Sequence, residues 1–234
     1  VQDDELRFRL ESIMQLHAAM VVPGLDALPK GLLHGDANDE NLLVDDEAVV
    51  GIVDFGDCQL GPLVVDLGIT VAYAMQDADL DLAAIGHLVA GYHATRPLLQ
   101  DELDLVVPIA LARLATSALI GARRMQADPD HATWHSHAGT TADAIVRYGC
   151  IEPNDSANAL RRACGIDPIE VADPDRLLTR RRERLGRNLS LAHGTPLHIT
   201  RGRGQYLITS SGRPYLDLVN NVCHVGHSNP HVVD

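Results

Sequence analysis

The fold is decided by residues 33–57, which read LHGDANDENLLVDDEAVVGIVDFGD. Two β-rich runs in this stretch, 41–44 and 49–53, flank an acidic turn at 45–47. Apolar runs separated by turn residues are typical of a β-hairpin. Another short β-rich run, 31–33, comes just before the stretch. The sequence therefore predicts a strand and a loop followed by a two-stranded hairpin.

The polar residues of this frame have a particular order and spacing. His34-Gly35-Asp36 is followed by four residues and then Asn41, and Asp54-Phe55-Gly56 begins thirteen residues after Asn41. A kinase catalytic loop, H-x-D-x-x-x-x-N, precedes its D-F-G magnesium loop in the same way. The spacing therefore predicts a phosphoryl-transfer site.

The chemistry of the three residues suits that reaction. Phosphoryl transfer needs an oriented acceptor hydroxyl and neutralisation of charge on the phosphate oxygens. We expect Asp36 to act as the catalytic base, and Asn41 and Asp54 to hold Mg²⁺ through oxygen atoms. Taken singly, Asp36 and Asn41 are equally well explained as turn residues, as are Asp39 and Asp57, because Asp and Asn favour loops. The ordered set favours the site.

His34, two residues before the predicted base, is expected to have a scaffold role. A histidine at this position is more often a packing residue that ties the catalytic loop to the D-F-G turn than a proton carrier. We therefore predict that it supports the site without taking part in the chemistry.

Residues 33–44 together with 52–57 resemble the aminoglycoside phosphotransferase/choline kinase family. The sequence HGDANDEN, together with DFGD, is similar to that of the hydroxylysine-kinase-like group, whose substrates are amino alcohols. The resemblance covers about residues 1–150 and implies ATP with Mg²⁺ as cofactors. It also implies that Asp66 braces the catalytic loop and that Asp57 supports the site. An alternative for Asp66 is a carboxylate at a helix N-terminus, where it favours the helix dipole.

The chain departs from that family upstream of the motif. A complete kinase has a glycine-rich loop and a strand lysine that holds the nucleotide phosphates. The chain's one lysine, Lys30, stands four residues before His34, too close to be that lysine. We therefore expect the nucleotide lobe to lie outside this sequence and the isolated chain to be inactive.

Helical periodicity dominates the rest of the first half of the chain. Apolar residues at i, i+3 and i+4 predict helices, with Pro and Gly marking their breaks. The predicted helices are 4–20, 64–75, 79–94, 101–126, 133–148, a short one at 155–164 in a connector, and an arginine-rich one from Pro174 to about Leu191.

Charge divides the chain into two parts of different character. The net charge is -13 over 234 residues, and residues 1–152 hold 24 acidic against 8 basic side chains, whereas residues 153–234 hold 8 against 11. Such acidity argues against nucleic acid as a partner, because phosphate backbones are held by clustered cations. The longest apolar stretch is interrupted by Asp104, Pro108 and Arg113, so we expect no membrane span.

Residues 202–230 resemble the opening of class III aminotransferases, which are fold-type-I pyridoxal phosphate (PLP) enzymes. The runs 205–208 and 215–219 predict a hairpin around Ser210-Ser211-Gly212-Arg213. The sequence of residues 202–230 is most similar to the ethanolamine-phosphate phospho-lyase and alanine-glyoxylate aminotransferase-like group. PLP requires a lysine, and none follows Lys30, so that site is expected beyond this sequence. A plain β-hairpin of other ancestry remains the alternative.

The predicted fold class is α+β: a mostly helical, protein-kinase-like C-terminal lobe with a small catalytic hairpin, a linker helix, and a β-hairpin from the N-terminus of a fold-type-I PLP enzyme. The predicted domains are 1–150, a linker at 151–192, and 193–234. Together they predict part of a bifunctional cytoplasmic enzyme: an ATP-dependent kinase that phosphorylates a small amino alcohol, fused to a PLP-dependent enzyme that eliminates phosphate from, or transaminates, a related amine. The full-length protein would be a homodimer through its aminotransferase domain. A pseudokinase binding module and an inactive fragment are the alternatives.

Overall fold

The computed structural model describes residues 4–46, 48–128, 138–186, 196–218 and 226–233. The chain divides into two units, Val1–Asp167 and Pro168–Asp234. The first unit holds every residue of the predicted phosphoryl-transfer site.

Four short strands of the first unit form two antiparallel pairs. β2 pairs with β3 as the predicted hairpin, with Leu42 opposite Ile52. β1 pairs with a strand that was not predicted, β4, so that Leu33 lies opposite Gln59. The strands are β1 (Lys30–Leu33), β2 (Leu42–Asp45), β3 (Ala48–Ile52) and β4 (Gln59–Pro62). The β1–β4 pair brings Leu33, just before His34, next to Gln59, which follows the D-F-G turn.

Most of the other described residues of the first unit are helical, close to the predicted positions. They are α1 (Asp4–Leu16), which continues into a π-helical turn (His17–Val21) and the short α2 (Val22–Leu25), then α3 (Val64–Ala74), α4 (Leu82–Thr95), α5 (Gln100–Ala127), α6 (Ala138–Gly149) and α7 (Pro153–Ala163). α4 begins at Leu82 and not at 79, because the Asp81 side chain accepts a hydrogen bond from the Ala84 N–H as an N-cap. The predicted start of α6, 133–137, lies outside the described residues.

The long helix α5 is the centre of the core. It contacts α1, α3, α6 and α7, and Leu103, Val107, Leu111 and Leu114 along its length are buried. Ala118, one turn after Leu114, is half-buried. By length and composition alone, α5 is long and apolar enough to cross a membrane. The core helices of soluble proteins meet the same criterion, and half of the most apolar 18-residue segment of α5 is buried within the protein.

A single glycine sets the separation of α3 and α5. A Cβ added to Gly68 on α3 would lie 2.4 Å from Cγ2 and 2.8 Å from Cβ of Ile109 on α5. Ile109 is itself buried and β-branched, so it has no other rotamer to adopt easily. The two helices therefore approach each other as closely as they do only because residue 68 has no side chain.

Replacing Gly68 with alanine is expected to lower the free energy of unfolding by about 2–3 kcal/mol, because overpacking a rigid core forces backbone shifts. Urea denaturation followed by circular dichroism measures this change. Gly121→Ala is the matched control, since Gly121 also lies within a helix, α5, and a Cβ there meets nothing within 4 Å. Equal stabilities for the two variants would contradict the close-approach argument.

The short helix α7 belongs to the first unit and packs on α4 and α5. Leu160 is fully buried, and the Arg161 side chain is 1% exposed. Arg161 Nη2 donates to Asp104 Oδ1 at 2.6 Å, and Nε donates to Gln100 Oε1 at 2.7 Å. The connector expected after residue 150 therefore begins with a helix that is part of this core.

The second unit contains an arginine-rich helix and a small antiparallel sheet. Its elements are α8 (Pro174–Arg184), β5 (Ile199–Arg203), β6 (Tyr206–Thr209), β7 (Pro214–Leu216) and α9 (Pro230–Val233). The strand order is β5-β6-β7, and the β6–β7 hairpin was predicted. Gly212 in its turn has φ +88°, a conformation that glycine adopts without strain.

The prediction that the arginine-rich helix reaches Leu191 was wrong at its C-terminal end. α8 ends at Arg184, and Leu185 is extended, with φ −111° and ψ 148°. Gly186 follows directly, and glycine commonly terminates helices. Residues 187–191 lie outside the described part of the chain.

Candidate active site

Asp66, near the start of α3, holds the loop that follows β1. Its Oδ2 accepts a hydrogen bond from the His34 backbone N–H at 2.7 Å, and its Oδ1 accepts one from the Gly35 N–H at 2.9 Å. Hydrogen bonds to a charged acceptor are shorter and stronger than neutral ones. The carboxylate thus fixes the backbone immediately before Asp36.

The His34 ring joins the same loop to the turn after β3. Nε2 lies 2.9 Å from the Val53 carbonyl oxygen, and the Asp36 N–H donates to Nδ1 at 3.3 Å. These partners assign the proton to Nε2, since a carbonyl can only accept. The ring is buried and lies against the Phe55 ring, with centroids 5.0 Å apart. Both ring nitrogens are therefore engaged in holding the two segments together.

Gly35 allows the loop to approach the D-F-G turn. It has φ +85°, and an added Cβ would lie 2.4 Å from the Asp57 carbonyl oxygen. The Asp57 side chain is exposed. Asp57 therefore meets the loop through its backbone oxygen.

The Asp36 carboxylate is held by side chains from three elements. Oδ1 accepts hydrogen bonds from the Tyr73 hydroxyl at 2.7 Å and from Arg113 Nη2 at 3.0 Å. Oδ2 accepts one from Asn38 Nδ2 at 3.1 Å. The Asp36 side chain keeps 25% of its exposure. It is therefore oriented by its neighbours and still open to a small molecule.

Tyr73 is a hydrogen-bond donor across the neutral pH range. Burial raises the pKa of its phenol above the ordinary value of 10.0, and the hydrogen bond to Asp36 raises it further. The nearby charge of Arg113 acts in the opposite direction. Because the phenol stays protonated, it contributes a neutral donor to the carboxylate.

Two asparagines connect the Asp36 loop to the hairpin. Asn38 Oδ1 accepts from the Asn41 N–H at 3.0 Å, which caps the single turn Asp39–Asn41. Asn41 Nδ2 donates to the Asp36 carbonyl at 2.9 Å. Since the amide nitrogen is bonded to the loop, the amide oxygen of Asn41 is the atom that suits a cation.

Asp54 follows β3 on the other side of the hairpin. The Val53 N–H donates a hydrogen bond to the Asn41 carbonyl at 2.9 Å. Asp54 is the next residue after Val53, so it lies one residue away from this hydrogen bond to Asn41. Asp54 has φ +62°, an uncommon conformation for a residue other than glycine, and it is exposed. Backbone strain of this kind is often found at functional sites.

The oxygen donors of Asn41 and Asp54 are of the type that Mg²⁺ prefers. Within the described ranges, no group of three or more His, Cys, Asp or Glu residues is arranged to hold a metal ion. One amide and one carboxylate are enough for Mg²⁺ only when phosphate oxygens and water complete its octahedron. The donor set therefore fits a cation that arrives with a nucleotide.

The residues of the loop and the turn were predicted from the sequence, but three side chains that contact Asp36 were not. Hydrogen bonds link His34, Asp36, Asn41 and Asp66 into one framework. Tyr73 and Arg113 reach Asp36 from α3 and α5, and Asn38 reaches it from the loop itself. The charge of Arg113 within an apolar helix was the one feature that could have drawn attention to it.

Replacing Asp66 with asparagine is expected to lower the free energy of unfolding by about 1–3 kcal/mol, because one of its two acceptor oxygens becomes an amide that cannot accept from a backbone N–H. Chemical denaturation measures the loss. Asp79→Asn, at an exposed acidic position, serves as the control and is expected to change little. A stability equal to wild type for Asp66→Asn would show that the loop does not depend on this carboxylate.

Comparison with known proteins gives relatives in two groups of kinases. The chain is 29% identical over 141 residues to hydroxylysine kinase of Xenopus laevis, which covers 56% of this chain and 38% of the relative. It is 36% identical over 100 residues to homoserine kinase of Gluconacetobacter diazotrophicus, which covers 42% of this chain and 31% of the relative. The chain thus spans well under half the length of these relatives.

A much shorter similarity points elsewhere. Over 38 residues the chain is 58% identical to an alanine–glyoxylate aminotransferase 2-like protein of Drosophila melanogaster, which covers 16% of this chain and 8% of that protein. This match is too short to confirm a fusion to an aminotransferase. The longer match covers the part of the chain that contains the site. Residues 1–100, which include all of the predicted site residues, match the phosphotransferase enzyme family.

Proposed function

We propose that the first unit, Val1–Asp167, is the acceptor-binding part of an ATP-dependent small-molecule kinase, with Asp36 as its catalytic base. The observation that carries the proposal is the arrangement around Asp36. The carboxylate is oriented by three donors, remains partly exposed, and is joined through Asn41 to the end of the hairpin where Asp54 stands. The similarity to hydroxylysine and homoserine kinases supports a small-molecule acceptor.

In the proposed reaction, the acceptor hydroxyl donates a hydrogen bond to the Asp36 carboxylate. As the hydroxyl oxygen forms its bond to the γ-phosphorus of ATP, its proton passes to Asp36 and ADP leaves. Tyr73 and Asn38 keep the carboxylate at a fixed angle, which supplies the orientation on which phosphoryl transfer depends. Asn41 and Asp54 would hold Mg²⁺, which when bound neutralises charge on the phosphate oxygens.

Phosphoester formation by the full-length protein tests this proposal. Purified protein is given ATP, Mg²⁺ and a panel of small hydroxylated amines and amino acids, and products are followed by phosphorus NMR. A new phosphoester signal with stoichiometric ADP is the expected result. Binding of nucleotide without any phosphoester would favour a pseudokinase binding module instead.

We propose further that the full-length protein joins this kinase to a PLP-dependent domain that begins in the second unit. The support is the β6–β7 hairpin at the position where the aminotransferase resemblance lies, together with the short similarity to the Drosophila protein. The residues of this chain do not supply the PLP lysine, because Lys30 is exposed on β1 in the first unit. Borohydride reduction followed by peptide mass spectrometry should therefore place a pyridoxyl group on a lysine outside residues 1–234.

Two properties of the full-length protein belong to the same proposal. Cytoplasmic localisation is supported by the free thiols of Cys58, Cys150 and Cys164. A homodimer would form through the aminotransferase domain, and sedimentation of the full-length protein tests it. Cys223 lies outside the described residues.

A further inference from the structure

Arg113 is the cation that stands beside the proposed catalytic base. It lies on α5, is 31% exposed, and donates from Nη2 to Asp36 Oδ1 at 3.0 Å and to the Tyr73 hydroxyl at 3.1 Å. Its guanidinium also lies over the Tyr73 ring, 5.7 Å from the centroid. A positive charge is thus held next to the position that an acceptor hydroxyl must occupy.

The guanidinium has capacity for another partner. Over the described ranges its hydrogen bonds come from Nη1 and Nη2: the two above and a long one from Nη1 to Ser117 Oγ at 3.5 Å. Arginine carries five N–H donors in a planar fork that matches a carboxylate. Because the side chain is partly exposed, an incoming anion can reach this fork without disturbing the core.

The surroundings make this charge distinctive. The loop and turn contribute the carboxylates of Asp36, Asp39, Asp54 and Asp57, and residues 1–152 hold three times as many acidic as basic side chains. Such a site repels an anionic acceptor unless a cation compensates for its charge. In the proposed reaction the nucleotide phosphates accompany the cation held by Asn41 and Asp54, whereas Arg113 bonds to Asp36, the residue that receives the acceptor hydroxyl. Arg113 is therefore placed to meet the acceptor.

We propose that Arg113 binds the carboxylate of the acceptor, so that the preferred substrate is a hydroxy amino acid and not a simple amino alcohol. This inference rests on the proposed kinase function. In the absence of acceptor, Arg113 is paired with Asp36; on binding, the substrate carboxylate takes over the guanidinium while the substrate hydroxyl takes its place at Asp36. Tyr73 keeps the guanidinium close to the site during this exchange, through its hydroxyl and its ring.

Matched acceptor pairs test the proposal in the full-length protein. Homoserine is compared with 3-aminopropan-1-ol, and hydroxylysine with 1,5-diaminopentan-2-ol, since each pair differs only by the carboxylate. We expect Arg113→Gln to lower kcat/KM for the carboxylated members by about 10- to 100-fold relative to their partners, the size expected for a charge-assisted hydrogen bond. Arg113→Lys should restore part of the selectivity, and Arg123→Gln, at an exposed position of α5, should leave it unchanged.

An equal loss for both members of a pair would overturn the proposal, because Arg113 would then act on Asp36 and not on the acceptor. So would a wild-type protein that does not prefer the carboxylated members. If the wild type phosphorylates neither member, the kinase function fails, and calorimetric titration without nucleotide then decides the inference alone. The inference is supported if homoserine binds to the wild type and to Asp36→Asn but not to Arg113→Gln, and if 3-aminopropan-1-ol, which has no carboxylate, does not bind. It is refuted if binding is the same with and without the carboxylate and with and without Arg113.

Discussion

Replacing Asp36 with asparagine is expected to lower the phosphoryl-transfer rate of the full-length protein by about a hundredfold to ten-thousandfold, the usual contribution of a general base. The asparagine side chain keeps the shape of the carboxylate and its acceptor oxygen for Tyr73, but it cannot take a proton from the acceptor hydroxyl. Steady-state ADP release with ATP, Mg²⁺ and a saturating acceptor measures the change.

Asp39→Asn is the matched control for this experiment. Asp39 is an exposed carboxylate in the same loop, three residues from Asp36, and it lies outside the proposed set of catalytic and metal-binding residues. Its replacement removes the same charge and should change the rate by less than about threefold. If the rate of Asp36→Asn were close to that of wild type, Asp36 would not be the catalytic base.

Replacing Gly35 with alanine is expected to lower the free energy of unfolding by about 2–4 kcal/mol and to reduce activity as well. The added Cβ would lie 2.4 Å from the Asp57 carbonyl oxygen, and the residue has φ +85°. Because the obstacle is backbone, it can be relieved only by moving the loop that carries Asp36 away from the turn that carries Asp54. Urea denaturation measures the stability, and ADP release measures the activity.

Gly91→Ala is the corresponding control. Gly91 lies within α4, where a Cβ would meet nothing within 4 Å. This substitution should stabilise the protein by about 0.5–1 kcal/mol, because alanine favours helix over glycine. If Gly35→Ala were as stable and as active as wild type, the loop would have to adopt another backbone path than the one described.

The hairpin and its polar ends could be predicted because their determinants are local. The apolar runs 41–44 and 49–53 and the acidic turn between them define the β2–β3 pairing within a dozen residues. The positions of His34, Asp36 and Asn41 in one loop follow from the same short stretch. The scaffold role of His34 was predicted from the same stretch and stays a prediction; its ring nitrogens lie within hydrogen-bond distance of the Val53 carbonyl and the Asp36 N–H.

The partners of Asp36 from the helices could not be predicted in the same way. Tyr73 is 37 residues and Arg113 is 77 residues from Asp36 in sequence. Their contacts depend on the packing of α3 against α5, which Gly68 brings close together. Periodicity predicts that α5 is a helix and which of its faces is buried, but it does not specify which residue of another helix a side chain at its margin will meet.

The strand β4 was missed for a different reason. Its sequence, Gln59-Leu60-Gly61-Pro62, ends in glycine and proline, which are typical of turns. Its strand character comes from pairing with β1, where Gly61 lies opposite Gly31. Neither strand has a strong pattern of its own, so the pairing is a property of the folded unit.

The burial of Arg161 bears on how such a unit could be exchanged between genes. A recombination breakpoint near codon 150 would discard α7, with the fully buried Leu160, and leave the Asp104 carboxylate and the Gln100 amide without their guanidinium partner. A breakpoint after Asp167 keeps that helix with the core on which it packs. A junction beyond α7 would therefore cost this unit less stability than a junction before that helix.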